Sequence, residues 1–141
     1  MMDKLLTLLN REVANFGVLY TKLHNFHWFV KGTQFYTLHE LYEKLYDEVT
    51  EHFDAVAERM LMLGGKPAAT LKEFLELATV KEAKGTESSA EMITETLHDF
   101  ELIVKELDEV LEIGDEVTKD LAIGIQASFQ KHIWMLKTYL S

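Results

Sequence analysis

Three groups of side chains capable of metal chemistry fall between positions 24 and 58: His24, His27 and Trp28; His39 with Glu43; and Asp54 with Glu58. The spacing of four in each of the last two pairs puts both members on one helix face about 6 Å apart, close enough to share one ion or bridge two. A single pair of this kind is most often a solvated helix face; two on one stripe set a geometric problem. Glu43 and Asp54 are eleven residues apart, which returns them to within about 20° of the same face but separates them by about 16 Å along the axis. No ion with ligand bonds near ~2 Å spans that gap. Both pairs can belong to one site only if a second copy of the helix lies antiparallel alongside. A two-fold dimer does this, setting His39 and Glu43 of one subunit against Asp54 and Glu58 of the other, and it creates two equivalent sites. His27 can join from the preceding helix end, because Gly32 permits the turn that brings it back over His39.

The sequence contains no cysteine, so any metal takes nitrogen and oxygen ligands. Mixed imidazole and carboxylate favour iron, with zinc and manganese as competitors, because affinity order alone does not select the metal. The competing design, a di-metal site inside one bundle, needs a Glu-x-x-His motif from each of two helices. Only Glu95-Thr96-Leu97-His98 matches. That lone match reads as chance, with His98 on or near the surface and His52 and His132 as structural histidines.

The elements that must carry these groups are helices. One proline and a few well-separated glycines leave long uninterrupted stretches, with breaks expected at Gly32, Gly64-Gly65, Gly85 and Gly114. The first helix is predicted over residues 3–30, with Asp3 as N-cap and an apolar stripe through Leu5, Leu9, Val13, Phe16, Leu19 and Leu23. The second starts near Thr37 and ends at Gly64-Gly65-Lys66-Pro67, a strong stop signal. Residues 66–90 form a crossover in which Thr70-Leu71-Lys72-Glu73 resembles a capping box opening a short helix to about Ala78. The third helix follows Ser88-Ser89, and the fourth runs from about Asp115 to Leu140. Two helical pairs joined by one long connection predict an all-α, ferritin-like four-helix bundle with a short extra helix in its crossover, filling residues 1–141 as one domain.

Composition narrows the function classes. The formal net charge is −10, which repels phosphate backbones and anionic headgroups and leaves cations and proteins as partners. Residues 91–120 hold eleven acidic side chains against two lysines, so nearly all the excess sits on the third helix and the turn after it. Most of these are expected on a solvated face. No signal segment or membrane-length apolar run is visible, and a cytoplasmic location is expected.

The stretch His27-Trp28-Phe29-Val30-Lys31-Gly32 through Leu38-His39 to Glu43, followed by Asp54-Ala55-Val56-Ala57-Glu58-Arg59 through Leu63-Gly64 to Pro67, resembles the two signature regions of the Dps mini-ferritins. Lys131-His132-Ile133-Trp134-Met135 is similar to the family as well. The resemblance implies a twelve-subunit hollow shell and a di-iron ferroxidase centre shared across each two-fold interface. It implies oxidation of Fe²⁺, preferably by hydrogen peroxide rather than oxygen, and storage of ferric mineral with protection against oxidative damage. Its metal ligands would be His27, His39 and Glu43 from one subunit with Asp54 and Glu58 from the next, Glu58 being the central carboxylate. Glu43 departs from the family, which more often has aspartate there, and its extra methylene bears on the second iron position. By the same resemblance Trp28 is a nearby electron donor, His24 lies behind the ligands, and Asp115, Glu116 and Asp120 line an acidic pore. Some members compact DNA with a lysine-rich tail, the alternative function. Lys4 is the only lysine ahead of the first helix's apolar stripe, and with helix three so acidic no direct nucleic-acid binding is expected.

Overall fold

The computed structural model describes all 141 residues and contains five helices and no strand: α1 (Met2–Phe29), α2 (Phe35–Met62), α3 (Leu71–Leu77), α4 (Ser89–Ile113) and α5 (Glu116–Leu140). α1 packs along α2 and α4 along α5, while α1 also meets α4 and the short α3. The two hairpins are therefore joined by the long crossover that carries α3, the connectivity expected from the sequence. Helix α1 begins one residue before Asp3, with Met1 at the N-cap position and no side-chain cap, so Asp3 lies in the first turn and is not the cap. Its carboxylate still faces the positive end of the helix dipole. Helix α2 begins two residues earlier than expected, at Phe35.

Side-chain caps fix the starts of α3, α4 and α5, whereas α2 starts without one. Thr70 accepts from the Glu73 backbone N–H, while the Glu73 carboxylate accepts from the Thr70 hydroxyl and the Ala69 N–H. Ser88 and Glu91 form a complete reciprocal capping box on α4. The crossover presses close to α1: a Cβ at Gly17 would come within 2.7 Å of the Phe74 ring, so glycine at this helical position is what admits α3.

The core is one apolar cluster drawn from all four long helices, centred on Phe16, Phe100 and Phe129, with Phe100 and Phe129 stacked at 4.2 Å. Two buried ionic groups interrupt it. Lys22 pairs with Glu95 at 3.2 Å and Asp99 at 2.9 Å, tying α1 to α4. This accounts for the single Glu-x-x-His match: Glu95 serves a buried lysine and His98 is exposed. The second group joins Glu12, Asn15, Arg11, Thr79 and Glu106. The Asn15 amide donates to both glutamates, Glu106 also accepts from the Thr79 hydroxyl, and Arg11 lies 2.9 Å from Glu12. Glu106 is thus an exception to the solvated acidic face expected over residues 91–120, whereas Glu109, Glu112 and Glu116 are exposed.

Candidate metal centre

The α1–α2 turn places the first two predicted ligands. Gly32 takes φ +106°, a left-handed conformation that costs glycine little, and the chain reverses so that the His27 and His39 rings stack at 3.7 Å and 15°. Each ring is then pinned by the other residue's backbone. Nδ1–H of His27 donates to the His39 carbonyl at 2.6 Å, and Nδ1–H of His39 donates to the His27 carbonyl at 2.7 Å. A carbonyl accepts only, so both Nδ1 atoms carry protons and both Nε2 lone pairs are left available. This is the outer-shell arrangement that orients imidazole ligands toward a metal. Phe35 stacks on the far side of His39 at 5.0 Å, holding the pair from behind.

The carboxylates differ in setting. Glu43, Asp54 and Glu58 are all solvent-exposed on α2. No group of three or more His, Asp or Glu side chains converges tightly enough within one chain to hold an ion. The two histidines therefore fit nitrogen ligation, and the carboxylates have the right chemistry, yet one chain brings together only His27 and His39. Trp28 is 63% exposed at the end of α1.

Around the imidazole pair lies an aromatic cluster that residue spacing did not single out. His24, held by its Nδ1–H on the Tyr20 carbonyl at 2.6 Å, stacks on Tyr46 at 3.7 Å and 17°. Tyr46 stands edge-on to His27 at 5.3 Å, and Trp28 lies 5.4 Å from His24. The signal was present: Tyr46 follows Glu43 by three residues and His39 by seven, on the same helix face.

His52 and His132 are structural, as expected. Their Nε2 atoms lie 2.9 and 2.8 Å from opposite oxygens of Glu48, which also accepts from the Ser128 hydroxyl, so α2 is tied to α5. Burial alone would raise the Glu48 carboxyl, but the hydrogen bonds from His132, His52 and Ser128 outweigh it and hold the group well below the usual carboxylate range.

At the start of α5 the three acids assigned to a pore separate. Asp115 is the N-cap: its oxygens accept from the Thr118 N–H and hydroxyl and from Arg59 at 2.8 Å. The Thr118 bonds come first among the causes that lower its pKa to about 2. Glu116 and Asp120 are exposed, with Glu116 only loosely paired to Lys119 at 3.4 Å.

The ferritin-like domain family matches residues 6–141. General stress protein 20U of Bacillus subtilis (strain 168) is 49% identical over 144 residues, covering 99% of each chain. DNA protection during starvation protein 2 of Bacillus anthracis is 46% identical, covering 100% of this chain and 99% of the relative. The crystal structure of Dps from Staphylococcus aureus superimposes with a TM-score of 0.96 at 48% identity, covering 99% of this chain and 96% of that one.

Proposed function

This chain belongs to the Dps family of ferritin-like proteins, and from that premise we propose that it oxidises and stores iron. The centre would be shared between two subunits. His27, His39 and Glu43 are contributed by one, Asp54 and Glu58 by the other, and Fe²⁺ is the substrate. The observation that carries this reading is the reciprocal pinning of His27 and His39, which leaves two Nε2 lone pairs side by side. No protein group consumes them. Supporting it is the placement of the exposed carboxylates of α2, too far along the helix for one chain to gather but complementary in an antiparallel pair.

The chemistry follows from electron counting. Hydrogen peroxide needs two electrons to become two waters: H2O2 + 2 Fe²⁺ + 2 H⁺ → 2 Fe³⁺ + 2 H2O. Two Fe²⁺ held together deliver both, so no hydroxyl radical escapes; Glu58, as the central carboxylate, would hold the irons at a common spacing. Ferric product would be stored inside a homo-oligomeric shell, a dodecamer by resemblance. Glu116 and Asp120 would focus Fe²⁺ at its entrances. Asp115 is committed to its cap and to Arg59.

Protection of DNA, which the names of several relatives state for those proteins, would come here from removing Fe²⁺ and peroxide. A gel shift of supercoiled DNA at neutral pH and moderate salt, without divalent metal, is expected to show no complex; a retarded band would favour DNA compaction as the alternative. No helix is long and apolar enough to cross a membrane.

The decisive experiment uses subunit mixing. His39→Ala and Asp54→Ala subunits are each expected to be inactive in peroxide-driven formation of ferric absorbance. Disassembled, mixed and reassembled, they should regain part of the activity, because some interfaces then carry one intact site. No recovery above the separate variants would refute the shared centre.

A further inference from the structure

A centre that couples two Fe²⁺ to one peroxide has an exposed weakness: when a single Fe²⁺ is bound, peroxide lacks its second electron. We propose that Tyr46 supplies that electron as a one-electron donor packed against the imidazole ligands. This rests on the ferroxidase reading and deepens it. The half-reaction balances as Fe²⁺ + H2O2 + Tyr–OH + H⁺ → Fe³⁺ + 2 H2O + Tyr–O•. The O–O bond breaks, iron and the phenol each lose one electron, and the phenol proton ends in water. The next Fe²⁺ to arrive restores the residue: Tyr–O• + Fe²⁺ + H⁺ → Tyr–OH + Fe³⁺.

Three observations select Tyr46. Its ring meets His27 edge-on at 5.3 Å, the contact nearest to the pinned imidazole pair among the tyrosines. It is half-buried, so its hydroxyl can release a proton, and Glu43 one turn earlier offers a carboxylate. Its ring is also held in place, stacked on His24, which hydrogen-bonds to the Tyr20 carbonyl and lies 5.4 Å from Trp28. A hole formed on Tyr46 thus has a contiguous aromatic route to an exposed indole and away from the core. Tyr42, four residues earlier, is the instructive contrast. It packs wholly buried against Phe26, so it has no outlet for a proton.

The test is rapid-freeze electron paramagnetic resonance of the assembled protein loaded with one Fe²⁺ per site and mixed with one equivalent of peroxide. Wild type should give a tyrosyl radical whose lines narrow when the protein is made with ring-deuterated tyrosine. Tyr46→Phe should lose that signal and release hydroxyl radical to a spin trap, whereas Tyr139→Phe, at the far end of α5, should retain it. A tyrosyl signal that survives in Tyr46→Phe, or a tryptophanyl signal as the first radical, overturns the assignment. Ferric absorbance from wild type at two Fe²⁺ per site keeps the two readings separable. Its absence sinks the ferroxidase reading together with this one, while its presence alongside an unaltered radical in Tyr46→Phe overturns the Tyr46 role alone.

Discussion

Helix α2 carries the same two residue types at the same spacing twice, as His39 with Glu43 and as Glu48 with His52, and the two pairs end in opposite states. His39 gives its Nδ1–H to the His27 backbone carbonyl and keeps Nε2 free, and Glu43 points into solvent. His52 turns its Nε2 onto Glu48, and that carboxylate also takes His132 and Ser128, so nothing is left to bind an ion. What separates a ligand set from a structural knot is unspent hydrogen-bonding and coordination capacity. Spacing and residue type are common to both. The difference originates outside the pairs: a backbone carbonyl brought over by Gly32 satisfies one imidazole, and a side-chain carboxylate satisfies the other.

The largest expected effect breaks the open side of that comparison. His27→Ala removes one proposed ligand and also the donor that pins the neighbouring turn. Peroxide-driven iron oxidation should fall on the order of 100-fold, the scale at which even supporting contacts of metal sites register. The stability cost should stay at about 1 kcal/mol for the lost hydrogen bond, read from chemical denaturation beside stopped-flow absorbance. If the rate survives while stability collapses, His27 is a packing residue and the two pairs do not differ in kind.

The closed side should respond in the reverse sense. Glu48→Gln leaves the His52 and His132 donors with a neutral, half-mismatched acceptor and is expected to cost about 1–3 kcal/mol at neutral pH. The iron oxidation rate should hold close to wild type. Because the folded Glu48 carboxyl lies below its unfolded value near 4.5, its contribution is present above that pH and disappears as pH falls toward the folded pKa. The stability gap between variant and wild type should therefore close in acid. A gap that is independent of pH from 7 down to 3 would mean that the charge on Glu48 is not what the two histidines hold.

A second closed group sharpens this with the opposite sign. Glu12 has no exposed surface; burial, followed by its contact with Glu106, raises its carboxyl to about 8. The folded state holds this proton while the unfolded chain releases it near pH 4.5, so the favourable contribution is full below 4.5 and is lost as pH rises to about 8. Glu12→Gln supplies a permanent N–H where the acid proton sits. The variant should gain on wild type across that window, by about 1–3 kcal/mol at pH 8, which is within the few kcal/mol such a shift represents. Thermal melts at pH 4.5, 6 and 8 would show it; a variant less stable at every pH would mean that Glu12 is ionised in the fold.

These groups also mark where sequence reasoning reaches its limit. The helices and the crossover with its short α3 were legible because they follow from periodicity and stop signals. His52 and His132 were separable from His27 and His39 by position, but their carboxylate partner was not, since the contacts of His132 and Ser128 with Glu48 span 84 and 80 residues. Glu12 and Asn15 left a trace that went unread: they lie on the buried stripe of α1 between Leu8 and Leu19, where a polar residue needs a partner. Asp115 was legible as an acid at a helix start, but only the fold shows that Thr118 and Arg59 occupy both its oxygens. The apolar stripe of α1 likewise gave no reason to expect that Gly17 is the gap filled by Phe74.

The smallest effect refines the open pair itself. Glu43 differs from aspartate by one methylene, and its carboxylate is exposed with no hydrogen-bond partner to fix its reach. If Glu43 binds iron directly, Glu43→Asp shortens the arm by about 1.5 Å, less than the slack of a flexible exposed side chain. Iron oxidation should then change only a few-fold, with the change concentrated in the second Fe²⁺ taken up per site. Anaerobic Fe²⁺ titration followed by peroxide separates the two uptake steps. Equal weakening of both would place Glu43 outside the ligand set, acting through the general charge of the face. Loss confined to the second step would identify Glu43 as the residue that completes the pair of irons, and with it the two-electron delivery on which protection from one-electron chemistry depends.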